Sequence, residues 1–102
     1  MISALASTAD LAAELGKNVR LARVAQGLRQ EDLAQQSQAS VQAIKNLEGG
    51  GNVELLTFLR VARALGMADK LMASCQPAPR TLDELERMEA ARTDNTRVRV
   101  RA

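Results

Sequence analysis

The segment Gln30–Gly50, QEDLAQQSQASVQAIKNLEGG, decides the fold of this chain. At a period of 3.6 residues it divides into two short amphipathic helices, one buried through Leu33 and the other through Ile44 and Leu47. Small and polar residues separate the two patterns, and Ser40 is suited to cap the second helix by accepting a backbone N–H. The segment therefore predicts two helices joined by a tight turn.

The face of the second helix opposite Ile44 is rich in amides and carries one cation. It presents four residues that point away from the predicted core: Val41, Gln42, Lys45 and Asn46. In the major groove of DNA, Asn and Gln can pair bidentately with adenine, and Lys can pair with guanine. A solvated helix face with no partner can have the same composition, so this pattern alone leaves both interpretations open.

The wider pattern resembles the helix-turn-helix family of phage repressors, Cro proteins and their bacterial relatives, the XRE family. The resemblance runs without a gap from about Leu15 to Leu71. It is carried by an ordered set of residues: Val19, Arg23, Gly27-Leu28, Gln30, Leu33-Ala34, Ser40, Ile44, Leu47, Glu48, Gly50 and Leu65-Gly66. It implies a compact five-helix, lambda-repressor-like DNA-binding domain whose third helix presents the four residues named above to DNA bases.

The resemblance also implies roles for residues outside the recognition helix. Gln30 matches a position that in relatives bonds a phosphate and supports the neighbouring glutamine. Arg23 and Glu48 match a pair that in relatives forms an internal salt bridge between the first and third helices. The expected contacts with the DNA backbone come from Gln30, Arg29, Ser40, Arg20, Gly51 and Asn52.

The chain departs from the family pattern at three places. Arg29 stands where a Ser, Thr or Asn cap is usual, so the second helix lacks a bond worth about 1 kcal/mol unless another group supplies it. Ser37, Gln38 and Ala39 replace a commonly apolar residue, a glycine and a valine, which leaves the turn geometry open. The loop 49–53 has no Lys or Arg, so its phosphate contacts are expected from main-chain N–H groups and the next helix N-terminus.

Composition predicts an all-α protein with an aliphatic core, since 46% of the 102 residues are apolar and Phe58 is the one aromatic residue. We expect a first helix from a cap at Thr8 or Asp10 to about Gln26, a fourth at 54–65 and a fifth at 67–74. The inner face of the first helix is predicted to carry Leu11, Leu15, Val19 and Ala22. The fourth helix is apolar on nearly all sides, which predicts a central position in the core.

The prolines at Pro77 and Pro79 predict a boundary between two parts of the chain. Four segments follow: a flexible N-terminal arm at 1–9, the helix-turn-helix domain at 10–75, a Pro linker at 76–80, and a short helix with a basic tail at 81–102. Thr81 and Glu84 form a capping box for the short helix, which we expect to end near Arg92. Its apolar stripe is narrow, so it must dock on something or fray.

The tail, Arg97-Val98-Arg99-Val100-Arg101, alternates at a period of two, which is the pattern of a strand. Three alternatives remain open for it. It pairs across a dimer, adds to a sheet of another protein, or stays disordered as an arm whose three arginines contact phosphates.

Several classes of function are excluded or disfavoured by what the composition lacks. The chain has no His, Tyr or Trp and a single Cys, so most acid–base and nucleophilic arrangements lack their parts, and we expect neither an enzyme nor a metal site nor a cofactor. The lone thiol suits a reducing cytoplasm. The first ten residues have neither a charged n-region nor an apolar run, so we expect no signal peptide and no membrane span.

Together these features predict a sequence-specific regulator of transcription, a repressor that binds a palindromic double-stranded DNA operator as a homodimer. The net charge is only +2, so affinity must rest on local placement of cations. The Pro-linked acidic helix and the Arg-Val tail resemble those of HipB-like regulators, which implies an autorepressing antitoxin for a HipA-like kinase toxin in a toxin-antitoxin system. The alternative is a protein-interaction module that kept the fold and lost DNA binding, which the non-basic glycine loop favours.

Overall fold

The computed structural model describes residues 6–101, with the side chains of residues 95–101 outside the description. The described chain forms six helices and no strand: α1 Thr8–Ala25, α2 Gln30–Ser37, α3 Val41–Glu48, α4 Leu55–Ala64, α5 Ala68–Ser74 and α6 Leu82–Arg101. The prediction of an all-α, five-helix domain followed by a C-terminal helix is confirmed.

The core lies between the first four helices. Helix α3 packs against both α1 and α2, α4 packs against α2, and α5 contacts α4. Each of the first four helices contributes one fully buried aliphatic side chain, namely Val19, Leu33, Ile44 and Val61. Burying one such side chain stabilises the fold by about 1.5–3 kcal/mol. The helix-turn-helix pair is therefore held in place from both sides.

Helix α1 begins with a capping box centred on Ser7. The hydroxyl of Ser7 accepts the backbone N–H of Asp10 at 3.1 Å, and the Asp10 carboxylate accepts the N–H of Ser7 at 3.2 Å. The predicted cap at Thr8 or Asp10 is therefore wrong, because Asp10 serves as the acceptor three residues inside the helix. Helix α1 also begins two residues before the predicted domain start at 10.

Helix α2 starts without a side-chain cap at Arg29, since a guanidinium has no acceptor. Asp32 supplies the compensating bond, because its carboxylate accepts the backbone N–H of Arg29 at 2.9 Å and the guanidinium at 3.2 Å. The hydrogen bonds from the side chain and then from the backbone of Arg29 lower the pKa of Asp32. The missing cap is therefore replaced in part by the reciprocal half of a capping box.

The turn between α2 and α3 accommodates all three unusual residues. Ser37 is buried, and its hydroxyl donates to the Leu33 carbonyl at 2.6 Å. The carbonyl of Ser37 in turn accepts from Nε of Arg60 at 3.1 Å. Gln38 adopts a left-handed conformation with φ of 56°, and half-buried Ala39 packs against the core. The polar groups are satisfied, so the remaining penalty is the backbone strain at Gln38.

We expect Gln38→Gly to stabilise the protein. The left-handed region costs a non-glycine residue about 1–2 kcal/mol, while glycine loses about 0.5–1 kcal/mol through its greater freedom in the unfolded chain. The net gain should reach about 1 kcal/mol, which corresponds to a rise of roughly 4–8 °C in Tm. Thermal unfolding followed by circular dichroism measures it. The control is Gln38→Ala, which keeps the strain and should give no rise; equal Tm values for the two variants would contradict this account.

Several apolar side chains that the sequence pattern placed in the core are exposed. On α1, Leu11 and Leu15 are 47% and 38% exposed, whereas the buried face runs through Gly16, Val19 and Arg23. Val19 and Ala22 lie on the inner face as predicted, whereas Leu11 and Leu15 do not, because the buried face is turned towards Gly16, which packs against α3. On α4, Val61 and Ala62 are buried but Leu55 and Leu56 are exposed, so the buried residues of this helix lie in its second half and its first turn is not central to the core.

Helix α6 extends to Arg101, well beyond the predicted end near Arg92. Its backbone is helical through 97–101, so the two alternatives that make this segment a strand are wrong. A strand without a neighbour leaves its N–H and C=O groups unpaired, whereas a helix pairs them within the segment. The proposed contacts of Arg97, Arg99 and Arg101 fall on side chains outside the described residues. Within the described range, no helix combines the length and the apolar character needed to cross a membrane.

Candidate nucleic-acid interface

Helix α3 is positioned by its cap and by two buried side chains. The hydroxyl of Ser40 accepts the N–H of Ala43 at 3.0 Å, which fixes the start of the helix. Ile44 and Leu47 are buried against α1 and α2. Gln42, Lys45 and Asn46 consequently lie on the exposed face. This face is the candidate recognition surface, and we use that name for these three residues.

The two amides of the recognition surface are joined to each other. The side-chain N–H of Gln42 donates to Oδ1 of Asn46 at 2.9 Å, one helical turn away. This bond leaves Gln42 with one N–H and its carbonyl oxygen. A bidentate pair with adenine requires one donor and one acceptor from the same amide, so the groups that remain on Gln42 suffice for it.

Val41 does not share this face. It is half-buried and packs against the core, whereas the sequence pattern had it pointing away from the body. The reason is its position three residues before Ile44, which places the two side chains on the same side of a helix. Val41 is therefore a packing residue at the edge of the recognition surface.

Arg23 and Glu48 form a bidentate ion pair beneath the recognition helix. Nε of Arg23 donates to Oε2 of Glu48 at 2.6 Å and Nη2 donates to Oε1 at 3.0 Å, with the two side chains only 11% and 5% exposed. Nη1 donates to the carbonyl of Leu28 at 2.8 Å. The hydrogen bond to Glu48 raises the pKa of Arg23, and burial offsets part of this rise. The pair ties the end of α3 to α1 and to the segment before α2.

Gln30 belongs to the same network. Its side-chain N–H donates to Oε1 of Glu48 at 3.2 Å, while the resemblance implied a phosphate contact and support of a neighbouring glutamine. Glu48 offers Gln30 a charged acceptor within reach, which makes this a strong hydrogen bond. We call Arg23, Glu48 and Gln30 the buried brace.

The glycine loop after α3 differs from expectation in its donors. The N–H groups of Gly49, Gly50 and Gly51 donate to the carbonyls of Lys45, Leu47 and Asn46 at 3.0, 3.1 and 2.7 Å. These bonds cap the C-terminus of α3. The N–H of Gly51, which was predicted to contact a phosphate, therefore already has an acceptor within the protein. Asn52, which follows in the loop, is exposed and retains its side-chain amide at the surface.

A groove beside the recognition surface brings together predicted and unpredicted residues. Ser40, Gln42, Asn46 and Asn52 line it with Thr57 and Arg60 of α4. The Arg60 guanidinium is fixed by its bonds to the Ser37 carbonyl at 3.1 Å and to the Thr57 hydroxyl at 3.2 Å. Sequence reasoning missed both α4 residues. The available signal was their spacing of three, which puts two polar residues on one side of an otherwise apolar helix.

The remaining predicted backbone contacts lie apart from this groove. Arg20 is exposed on α1. Arg29 is exposed at the start of α2, but its guanidinium pairs with Asp32 at 3.2 Å and approaches Glu31 to 3.9 Å. The positive charge at this end of α2 is therefore neutralised locally, which weakens the attraction that a helix N-terminus has for phosphate.

Comparison with known proteins agrees with this geometry. Residues 19–68 match the helix-turn-helix family, a range that runs from Val19 in α1 to the first residue of α5 and contains the whole α2–α3 pair. This match supports a helix-turn-helix domain of the XRE type in this part of the chain. The match supports a DNA-binding transcription regulator, and α3 is the second helix of the matched pair. No curated protein matches the chain significantly.

Proposed function

We propose that this helix-turn-helix protein is a repressor that binds a palindromic operator as a homodimer and reads bases with Gln42, Lys45 and Asn46. The observation that carries the proposal is the bonded amide pair on the exposed face of α3. Its donors and acceptors are held in one orientation before DNA arrives, so less side-chain freedom is lost on binding. Ser40, Asn52, Thr57 and Arg60 are the proposed contacts to the flanking phosphates, together with Gln30, Arg20 and Arg29.

The dimer is proposed because one recognition helix is short. Helix α3 has eight residues and can reach only a few base pairs. Two copies related by a twofold axis read two half-sites about one helical turn of DNA apart, roughly 34–36 Å, which multiplies the specificity. Occupation of such an operator next to a promoter blocks transcription.

An electrophoretic mobility shift with the DNA upstream of the protein's own gene tests the proposal. We expect a discrete complex with this fragment and at least roughly 1,000-fold weaker binding to a shuffled fragment of the same composition, at physiological salt. Equal affinity for the two fragments would contradict sequence-specific recognition by this gene's product at its own promoter.

We expect Gln42→Ala to weaken specific binding by about 1–3 kcal/mol and to relax the preference at one base pair in each half-site. The change removes the amide that addresses the base and frees Asn46 from its partner. Titrations against operator variants with single base changes measure both effects. Gln35→Ala, an exposed amide on α2, is the matched control. An unchanged ratio of operator affinity to random-DNA affinity would show that Gln42 does not read a base.

The finer proposal is that the regulator is the cytoplasmic, autorepressing antitoxin of a HipA-like kinase toxin. Its support is the resemblance of the Pro-linked acidic helix and the Arg-Val tail to those of HipB-like regulators. Co-expression with a kinase encoded next to the gene tests it: the kinase should co-purify with the full chain and not with a chain that ends at Gln76.

A second candidate function is a protein-interaction module that does not bind DNA. Two observations favour it: the N–H groups of the glycine loop are used within the protein, and Glu31 and Asp32 neutralise Arg29 at the start of α2. The same mobility shift separates the candidates. An interaction module would fail to shift either fragment even at low salt, where phosphate contacts are strongest.

A further inference from the structure

An apolar groove runs between α1, α4 and α5, on the side of the domain where Leu15 is exposed. It has a volume of about 280 Å³, and its walls include Leu15, Phe58, Met67 and Leu71 with Lys70 beside them. A second depression of about 260 Å³ shares Leu15 and Phe58 and continues toward Leu55 at the start of α4. A concave apolar surface of this kind can receive the apolar face of an amphipathic helix. We call the combined feature the apolar groove.

Helix α6 carries a matching surface without a partner in the described chain. Leu82 is 69% exposed and Leu85 38% exposed, and half-buried Met88 follows at the same helical spacing. Glu86 and Glu89 lie beside these residues on the helix. The closely packed helix pairs involve α1 to α5 and do not include α6. We call Leu82, Leu85 and Met88 the α6 stripe.

The chain holds the two surfaces apart. Its radius of gyration is 17.2 Å, compared with about 13 Å for a compact chain of this length, so α6 projects from the domain. The linker explains why: Pro77 and Pro79 have fixed φ angles and restrict Gln76 and Ala78 before them to extended conformations. Pro77 and Ala78 also lie beside Met88. The linker is therefore stiff, and α6 belongs to none of the closely packed helix pairs of the described chain.

We propose that the α6 stripe of one protomer docks into the apolar groove of a second copy, and that the exchange is reciprocal about a twofold axis. The proposal describes how the dimer of the proposed function assembles. Only the biological purpose of the dimer rests on that function, because the docking itself needs no DNA. Each chain carries one groove and one stripe, so a twofold pair satisfies both surfaces twice and leaves none exposed. Lys70 at the groove then meets Glu86 beside the stripe, while Glu89 is already paired with Arg92 at 3.1 Å, so charge as well as apolar contact favours this occupant.

The dimensions allow the exchange. Helix α6 has 20 residues and is therefore about 30 Å long, whereas α5, which forms one wall of the groove, has seven residues and is about 10 Å long. The first three turns of α6 are enough to cover the groove. A stable interface buries about 1,200–2,000 Å² in total, and a twofold dimer doubles the area that each stripe-to-groove contact contributes to it.

Two charge insertions test the exchange in solution without DNA. Leu85→Glu disables the stripe, and Leu15→Glu disables the groove; each should raise the dimer dissociation constant at least about ten-fold by sedimentation equilibrium. The matched controls are Ala90→Glu elsewhere on α6 and Leu21→Glu on the outer face of α1, which should leave the constant unchanged. Circular dichroism verifies folding, and Leu82→Glu and Leu55→Glu replace any variant that loses its helical signal.

Mixing the two defective proteins is the decisive step. A Leu85→Glu protomer still has an intact groove and a Leu15→Glu protomer an intact stripe, so the mixture should form dimers through one good contact, while a chain carrying both changes should not. If only the Leu85→Glu variant lost its dimers, the stripes would pair with each other. If only the Leu15→Glu variant lost them, the grooves would pair with each other. Either result would overturn the proposal. Absence of rescue on mixing, or a monomeric parent at micromolar concentration, would also overturn the proposal. A failed DNA shift leaves these results unaffected, since no DNA is present.

Discussion

Glu48→Ala should lower the free energy of unfolding by about 3–5 kcal/mol, and Arg23→Ala should do the same. Removing Glu48 leaves Nε and Nη2 of Arg23 without their acceptor in a site where the guanidinium side chain is only 11% exposed. Removing Arg23 leaves the Glu48 carboxylate with the single bond from Gln30. A loss of this size takes away a large part of the stability of a small domain, which is about 5–15 kcal/mol in total.

Urea unfolding of both single variants, with the double variant Arg23→Met plus Glu48→Leu, measures the effect and its origin. The double variant should be far more stable than either single one, because no buried charge remains unpaired and the two apolar side chains refill the space. Arg80→Ala is the matched control, since its pair with Glu84 at 3.7 Å involves an Arg80 side chain that is 87% exposed. If the single variants unfold at the same urea concentration as the parent, the brace does not stabilise the fold.

The brace also shows what the sequence could reveal. Arg23 and Glu48 are 25 residues apart, and no local pattern links them. Only the resemblance to the helix-turn-helix family paired them, because it supplied a three-dimensional template. Helix positions, by contrast, followed from apolar spacing and from local caps such as Ser40. The periodicity of apolar residues is strong where one face of a helix is buried and the other is exposed to solvent, as in α3.

Features that depend on how surfaces meet were predicted less well. Leu15 in α1 and Leu55 in α4 each lie at helical spacing from other apolar residues of the same helix. Spacing does not distinguish a side chain that reaches the core from one that faces an open groove. The sequence also could not show that the N–H groups of Gly49, Gly50 and Gly51 bond to carbonyls of α3, since this depends on which carbonyls lie within reach. The two strand alternatives for the tail were wrong because alternation at a period of two describes a strand only when a neighbouring strand exists.

Gly16 was missed altogether, although an isolated glycine in a helical pattern is itself a signal of close packing. It is buried in the middle of α1 against the last turn of α3. A Cβ at this position would lie 2.8 Å from the carbonyl oxygen of Glu48 and 3.0 Å from its carbonyl carbon, and closer still to the carbonyl oxygen of Leu47. The two helices can approach this closely only because residue 16 has no side chain.

We therefore expect Gly16→Ala to destabilise the protein by at least about 1–3 kcal/mol, the usual range for overpacking a core. This loss should appear in spite of the gain of about 1 kcal/mol that alanine normally brings to a helix interior. The clashing atoms belong to the backbone, so no side-chain rotation relieves the contact and α3 must move away from α1. Such a shift also displaces Glu48 from Arg23, so the variant should lose DNA affinity through a distorted recognition helix. Urea unfolding and operator titration measure the two effects.

Gly27→Ala separates the effect of crowding from that of losing a glycine. Gly27 has a φ of 73°, and a Cβ added to it would have no neighbouring atom within 4 Å, so alanine there adds backbone strain of about 1–2 kcal/mol and no clash. Its position after α1 lies away from the α1–α3 contact, and the affinity of the folded fraction for operator should stay close to that of the parent. Gly16→Ala should lower both stability and affinity because one contact supports both. A Gly16→Ala protein with parental stability and affinity would mean that α1 and α3 are farther apart in solution than their packing at Gly16 requires.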